Sequence, residues 1–273
     1  MAIFGTIGIF RRYIPLPSSL IALGRGMIAS FFLLMVLFLQ KKSLDKTAIR
    51  NNMLMLFISG TTIGINWILL FESYCYTSVA TATLCYYLAP ILMILGGAIV
   101  LKEKLTIKQG LCAAAALCGM IPVSGVLNDG AAGPNQLKGV LLGIGAAILY
   151  ASVILMNKKM KHINAYDKTI LQLFFASVTL LPYVLVTEDF GTICFTPRAV
   201  FFLLLIGVVH TGFAYWMYFS SIEHLAARTV AIWSYLDPVL AIILSNLVLK
   251  EPMGLLSWLG AAVILGAAYL CER

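Results

Sequence analysis

From Ser18 to Leu39 the chain reads SSLIALGRGMIASFFLLMVLFL, with Arg25 as its single charge. About 20 mostly apolar residues of helix cross a hydrocarbon core, and a helix satisfies its backbone polar groups internally, which lipid cannot do for it. Comparable runs lie near residues 2–14, 53–75, 79–101, 108–126, 138–156, 169–186, 199–221, 226–249 and 255–270. They are long and unalternating, so they read as helices and not as barrel strands. With 61% hydrophobic and 11% charged residues and a mean hydropathy of +0.97, this is more apolar surface than one soluble core encloses. The sequence therefore predicts an all-α integral membrane protein with ten transmembrane helices.

Short loops rich in Lys and Arg stay in the cytoplasm. The loops after even-numbered spans carry Lys41, Lys42, Lys46, Arg50, Lys102, Lys104, Lys108, Lys158, Lys159, Lys161 and Lys168, most of the nineteen basic residues. Both termini are thus expected in the cytoplasm of a multi-pass cell-membrane protein. The net charge of +8 follows from this asymmetry and calls for no nucleic-acid partner. Met1 to Phe10 has no basic start, so it does not read as a cleavable signal. The first span is short before Pro15, and helix one is expected to be truncated, with Met1 as an internal start.

Five of the six cysteines, Cys75, Cys85, Cys112, Cys118 and Cys271, sit in or at the ends of apolar spans as small hydrophobes, and Cys194 falls in an outer loop. Neither a CxxC pair nor a Cys/His cluster is present, so no metal or other cofactor is expected.

An internal repeat narrows the architecture further. Shifted by 148 residues, Gly64–Glu103 aligns with Gly212–Glu251 without a gap, and thirteen of forty positions are identical. The identities include Phe71 with Phe219, Tyr87 with Tyr235, Pro90 with Pro238, and a closing Val-Leu-Lys-Glu in each copy. Spans three and four thus duplicate spans eight and nine. A unit of five spans is odd, so the second copy enters the membrane from the opposite face. The expected units are a first five-helix repeat over 1–126 and a second over 138–273.

Ten spans in two inverted units, FGTIGIFRRYIPLPSS at the first helix, and a mid-helix proline followed by a Lys-Glu turn in spans four and nine resemble the drug/metabolite transporter superfamily, in its EamA-like branch. The resemblance covers essentially the whole chain, but its motifs mark helix ends and prolines and transfer no substrate ligands. It implies a bacterial-type secondary carrier or exporter of small metabolites, often amino acids or related amphiphiles, working by alternating access. A lipid-carrier flippase on the same fold is the alternative. The expected partners are a small-molecule substrate, the lipid bilayer and protons as a coupling ion, with the protein a monomer or homodimer.

Within the spans, Pro90 and Pro238 each remove a backbone donor and free the carbonyl one turn earlier, at Tyr86 and Ser234. Paired interruptions at matching repeat positions point to a central site, although a structural kink explains them equally well. Asn66 and His210 lie near mid-depth and are candidates to line a wet cavity, whereas Ser59, Thr62 and Ser73 read more plainly as glue between helices. Trp67, Tyr86, Tyr87, Tyr150, Tyr215, Trp216, Trp233 and Tyr235 suggest amphipathic cavity walls as a group. Arg25 and Glu72 fall at similar depth in the outer third, where a structural ion pair, an outer gate and snorkelling are all open readings.

Asp237 is the sharpest candidate. It stands near the middle of WSYLDPVLA and its neighbours, where a charge costs at least about 2.5 kcal/mol on insertion scales. Its repeat counterpart is Ala89, so the carboxylate is an asymmetric addition to a symmetric frame. Trp233 and Ser234 share its helical face, and His210 is the expected titratable partner, giving a proton relay or a receptor for a substrate ammonium. The plainer alternative is a protonated Asp that glues two helices. With only one mid-depth carboxylate and no HExxH, GxSxG or P-loop, an enzyme is not expected. No filter-like loop suggests a channel.

Overall fold

The computed structural model describes residues 2–100, 106–123, 134–191, 193–217, 236–250 and 254–272, and among these there are helices and turns but no strand. Two short pieces, α1 (Ala2–Gly5) and α2 (Ile7–Arg12), precede α3 (Ser18–Leu39) and α4 (Lys46–Tyr76). Then follow α5 (Val79–Tyr86), α6 (Ala89–Val100), α7 (Ile107–Val123), α8 (Pro134–Lys159), α9 (Ala165–Thr187) and α10 (Pro197–Leu205). α10 runs on into a π-helical segment, Ile206–Phe213, and helical geometry continues to Met217. α11 (Leu236–Leu247) and α12 (Leu255–Glu272) complete the described chain. Among the described residues, five stretches, in α3, α4, α8, α9 and Pro197–Met217, are long and apolar enough to cross a membrane.

Polar caps set several helix starts. The Asp45 carboxylate accepts from the Thr47 and Ala48 amides at 3.0 Å each, so α4 begins well before residue 53, where the apolar run alone would place it. The polar turns of a helix that rise out of the hydrocarbon are invisible to a hydropathy pattern. Asn164 caps α9 by accepting from the Asp167 amide at 2.7 Å, and Thr196 caps α10 with Pro197 as the first helical residue. Pro90 has the effect expected of it: α5 ends at Tyr86, Leu88 turns back to the Cys85 carbonyl, and α6 resumes at Ala89. The matching stretch before Pro238 lies outside the described residues.

One core joins α3, α4 and α9 through Ile21, Leu33, Phe71, Leu173 and Leu180, all essentially inaccessible. A second joins α5, α8, α7 and α12 around Leu84, Ala116, Ala147 and Ile264. The outer faces are apolar too. Phe31, Phe38, Ile99 and Val186 are 72%, 81%, 80% and 86% exposed, which suits contact with lipid and not with water.

α4 and α9 approach through glycine. A Cβ at Gly60 would stand 2.7 Å from both the Gln172 carbonyl oxygen and the Phe175 Cβ, so a side chain there forces two helices apart. Such close approach is how membrane helices gain dispersion energy when lipid offers no hydrophobic drive. Gly60→Ala is therefore expected to lower stability by about 1–3 kcal/mol. Gly266→Ala, where nothing lies within 4 Å of the added carbon, should be neutral or slightly stabilising. Thermal unfolding in detergent of the two variants side by side checks this, and equal melting temperatures would contradict the close approach.

Candidate functional site

The interior polar groups converge where helices are interrupted. α1 and α2 are separated at Thr6, whose hydroxyl lies 2.8 Å from His210 Nε2 in the π-helical segment. His210 is 2% exposed, and its ring also meets Phe10 edge-on at 5.0 Å. The wider π turn carries the next residue as well. Thr211 Oγ1 donates to the Ile206 carbonyl, five residues back, at 3.1 Å, and accepts from Arg25 Nε at 3.1 Å.

Asp237 stands in the first turn of α11, and Tyr87, in the break between α5 and α6, donates its hydroxyl hydrogen bond to the Asp237 carboxylate. From the other side α1 presses on the same residue, because a Cβ at Gly5 would come 2.5 Å from the Asp237 carbonyl oxygen. Asn66, 2% exposed on α4, donates to the Ala146 carbonyl of α8 and hydrogen-bonds the Tyr86 side chain. The Tyr86 ring lies 5.3 Å from that of Tyr150. Tyr74 is hydrogen-bonded to Thr83 and lies within electrostatic reach of both Asp237 and Arg25, as does Tyr215.

The geometry brings together Asp237, Tyr86, Tyr87, Tyr150, Asn66, His210 and Arg25. Two pairings expected from depth alone are replaced. Asp237 is bonded to Tyr87, while His210 is held by Thr6; equal depth in neighbouring spans did not bring the imidazole and the carboxylate together. Arg25 lies over the Trp67 ring at 4.2 Å and near Phe71 at 5.3 Å, and forms no ion pair with Glu72. The charge of Glu72 is felt instead by Arg11, which donates to the Ile14 carbonyl, Ser18 and Cys75. Arg11 is 8% exposed, more buried than an interfacial arginine. Trp233, Ser234 and Tyr235 lie outside the described residues.

Thr6, Tyr74 and Thr211 belong to the cluster without having stood out in the sequence. Tyr74 directly adjoins Ser73 in α4, and its phenol in an apolar span was an available signal. Nothing marks Thr6 or Thr211, since a small hydroxyl in an apolar span most often bonds its own backbone.

No group of three or more His, Cys, Asp or Glu residues suited to a metal occurs among the described residues. The chemistry on offer is recognition. A carboxylate stands toward one pole and a guanidinium toward another, with aromatic faces between them.

These contacts generate a paired prediction. Tyr87→Phe and Asp237→Asn should couple by at least about 0.5 kcal/mol in a double-mutant cycle, whereas Arg25→Gln and Glu72→Gln should add within about 0.5 kcal/mol. Unfolding in detergent measures both cycles, and the reverse pattern would refute the assignment of partners.

Known proteins place the chain in context. A protein of solved structure superposes with a TM-score of 0.68 at 17% identity, covering 98% of this chain and 92% of its own, a likeness of fold alone. The "Uncharacterized transporter YxxF" of Bacillus subtilis (strain 168) is 28% identical over 249 residues, spanning 90% of this chain and 78% of that protein. The "Uncharacterized transporter YoaV" of the same organism is 26% identical over 261 residues, spanning 94% and 85%. The names are those of transporters, not enzymes. The sequence pattern of the EamA-like transporter family matches residues 1–125 and 137–272, and the chain is a member of that family of multi-pass membrane proteins.

Proposed function

We propose that the protein is a secondary transporter of small organic metabolites, built of ten spans in two inverted five-helix repeats, with both termini in the cytoplasm and a substrate site at the centre. The observation that carries this reading is the convergence of Asp237, from the second proposed repeat, with Tyr87, from the first, beside the break between α5 and α6.

The helix contacts support the repeat. Exchanging each helix for its partner in the other half maps several of the contacts onto one another, although that of α3 with α4 has no counterpart between α9 and the π-helical segment. α4 lies against α8 and α9, as the π-helical segment lies against α1, α2 and α3; α5 and α6 meet α8, as α11 meets α1 and α2. α3 with α9, α5 with α11 and α7 with α12 are self-paired. Individual contacts repeat as well. Gly64 faces Leu180 and Gly212 faces Phe32, and both members of each pair are related by the 148-residue shift. The two stretches that match the family pattern fall in the same halves.

Such a frame moves substrate by rocking one half against the other around a fixed site. In that cycle Asp237 changes its partner, with Tyr87 holding the carboxylate in one state and a proton or substrate cation taking it in another.

A thermal-shift screen of amino acids, amines, nucleobases and sugars should yield a hit that adds about 2.7 kcal/mol at a hundredfold over its dissociation constant. In proteoliposomes that compound should show counterflow. Asp237→Asn, which keeps shape but cannot titrate, should lose counterflow while remaining folded. Wild-type transport with an unchanged pH profile in that variant would reduce Asp237 to a structural role.

A further inference from the structure

Arg25 is 4% exposed in the first half of α3, yet among the described residues no carboxylate lies within ion-pair distance of it. A buried cation ordinarily costs several kcal/mol unless it is paired and fully hydrogen-bonded. The guanidinium is partly compensated: the Trp67 ring covers its face at 4.2 Å and Nε donates to Thr211. Cation–π contact uses the face of the group and leaves its edge free. That edge carries Nη1 and Nη2, which have no hydrogen-bond partner among the described residues. Neither nitrogen is among the fully enclosed, unpaired side-chain atoms, which among the described residues are Arg11 Nε and Ser30 Oγ.

The surroundings suit an incoming anion. Tyr74, Tyr86 and Tyr215 lie within electrostatic reach of Arg25, so the guanidinium is set among phenol groups and not beside a carboxylate. The repeat counterpart of Arg25 is Leu173, 1% exposed, so the fold itself does not require a charge at this position.

We propose that Arg25 is the anion receptor of the central site: Nη1 and Nη2 grip the oxyanion head of a small organic substrate, a carboxylate or phosphate, whose body lies against the surrounding aromatic rings. The forked, planar guanidinium edge matches either head bidentately. This deepens the transport reading and rests on it for the route by which the anion reaches the site.

The test uses four probes that share one ring: benzoate, phenyl phosphate, benzamide and benzylamine, at matched millimolar concentration and ionic strength. Thermal unfolding is followed for the purified wild-type chain, Arg25→Leu, Arg25→Lys and Gly266→Ala. Benzoate or phenyl phosphate is expected to raise the wild-type melting temperature in a dose-dependent way, and whichever does so identifies the head. Benzamide and benzylamine should not. Arg25→Leu should weaken the response about tenfold or more. Gly266→Ala, which leaves the guanidinium and its contacts in place, should retain it. Should Arg25→Leu fail to fold, Arg25→Lys carries the test, because it keeps the charge without the fork and should bind more weakly than wild type.

The proposal is overturned when no oxyanion stabilises the wild-type protein, when benzamide or benzylamine does so equally, or when the response survives loss of the guanidinium. Flux in proteoliposomes separates the two readings. An anion that binds through Arg25 but is never moved leaves the receptor standing and removes the transporter; flux indifferent to Arg25 does the opposite.

Discussion

A chain in hydrocarbon that leaves the α-helical pattern must find partners for its backbone in protein or enclosed water, and this one leaves the pattern in three places that are tied together. Thr6 parts α1 from α2 and reaches His210. His210 and Thr211 belong to the π-helical segment. The break after Tyr86 presents Tyr87 to Asp237, on whose backbone Gly5 closes. Interruptions that would be costly in isolation thus form one interior polar region. The apolar cores on either side supply the rigid walls against which that region keeps its shape.

Much of the architecture was legible in the sequence because lipid imposes length and apolarity on every span. α3 matched its apolar run end to end, and Pro90 located the break between α5 and α6. The site was legible in depth but not in azimuth. Asp237, Asn66, His210, Tyr86, Tyr87 and Tyr150 stood out as candidates because polar groups at mid-depth are expensive and therefore informative. Their partners were not, because residues at one depth on neighbouring helices meet only when their faces turn toward each other. Arg25 turned to Trp67 and Thr211, and Glu72 turned toward Arg11.

The π-helical segment had no sequence signal at all. One extra residue per turn leaves the apolar pattern of Ile206–Phe213 intact, and the glycines at 207 and 212 suit the close approach of Ile28 and Phe32 as well as any irregularity. What settles the π geometry is tertiary, with Arg25 and Thr6 holding the consecutive polar side chains of Thr211 and His210. A window of local sequence contains neither holder.

The proposed 148-residue relation between the halves bears on how such a chain diversifies. Position 25 is paired with Leu173 and position 237 with Ala89, so each charge faces an aliphatic twin that already tolerates the same backbone setting. Replacing one member of a twin alters the polarity of the interior on one side only and leaves the inter-helix glycine contacts untouched. On the proposed repeat, such a chain can change the polarity of its interior by single codon steps, without rebuilding the scaffold around them.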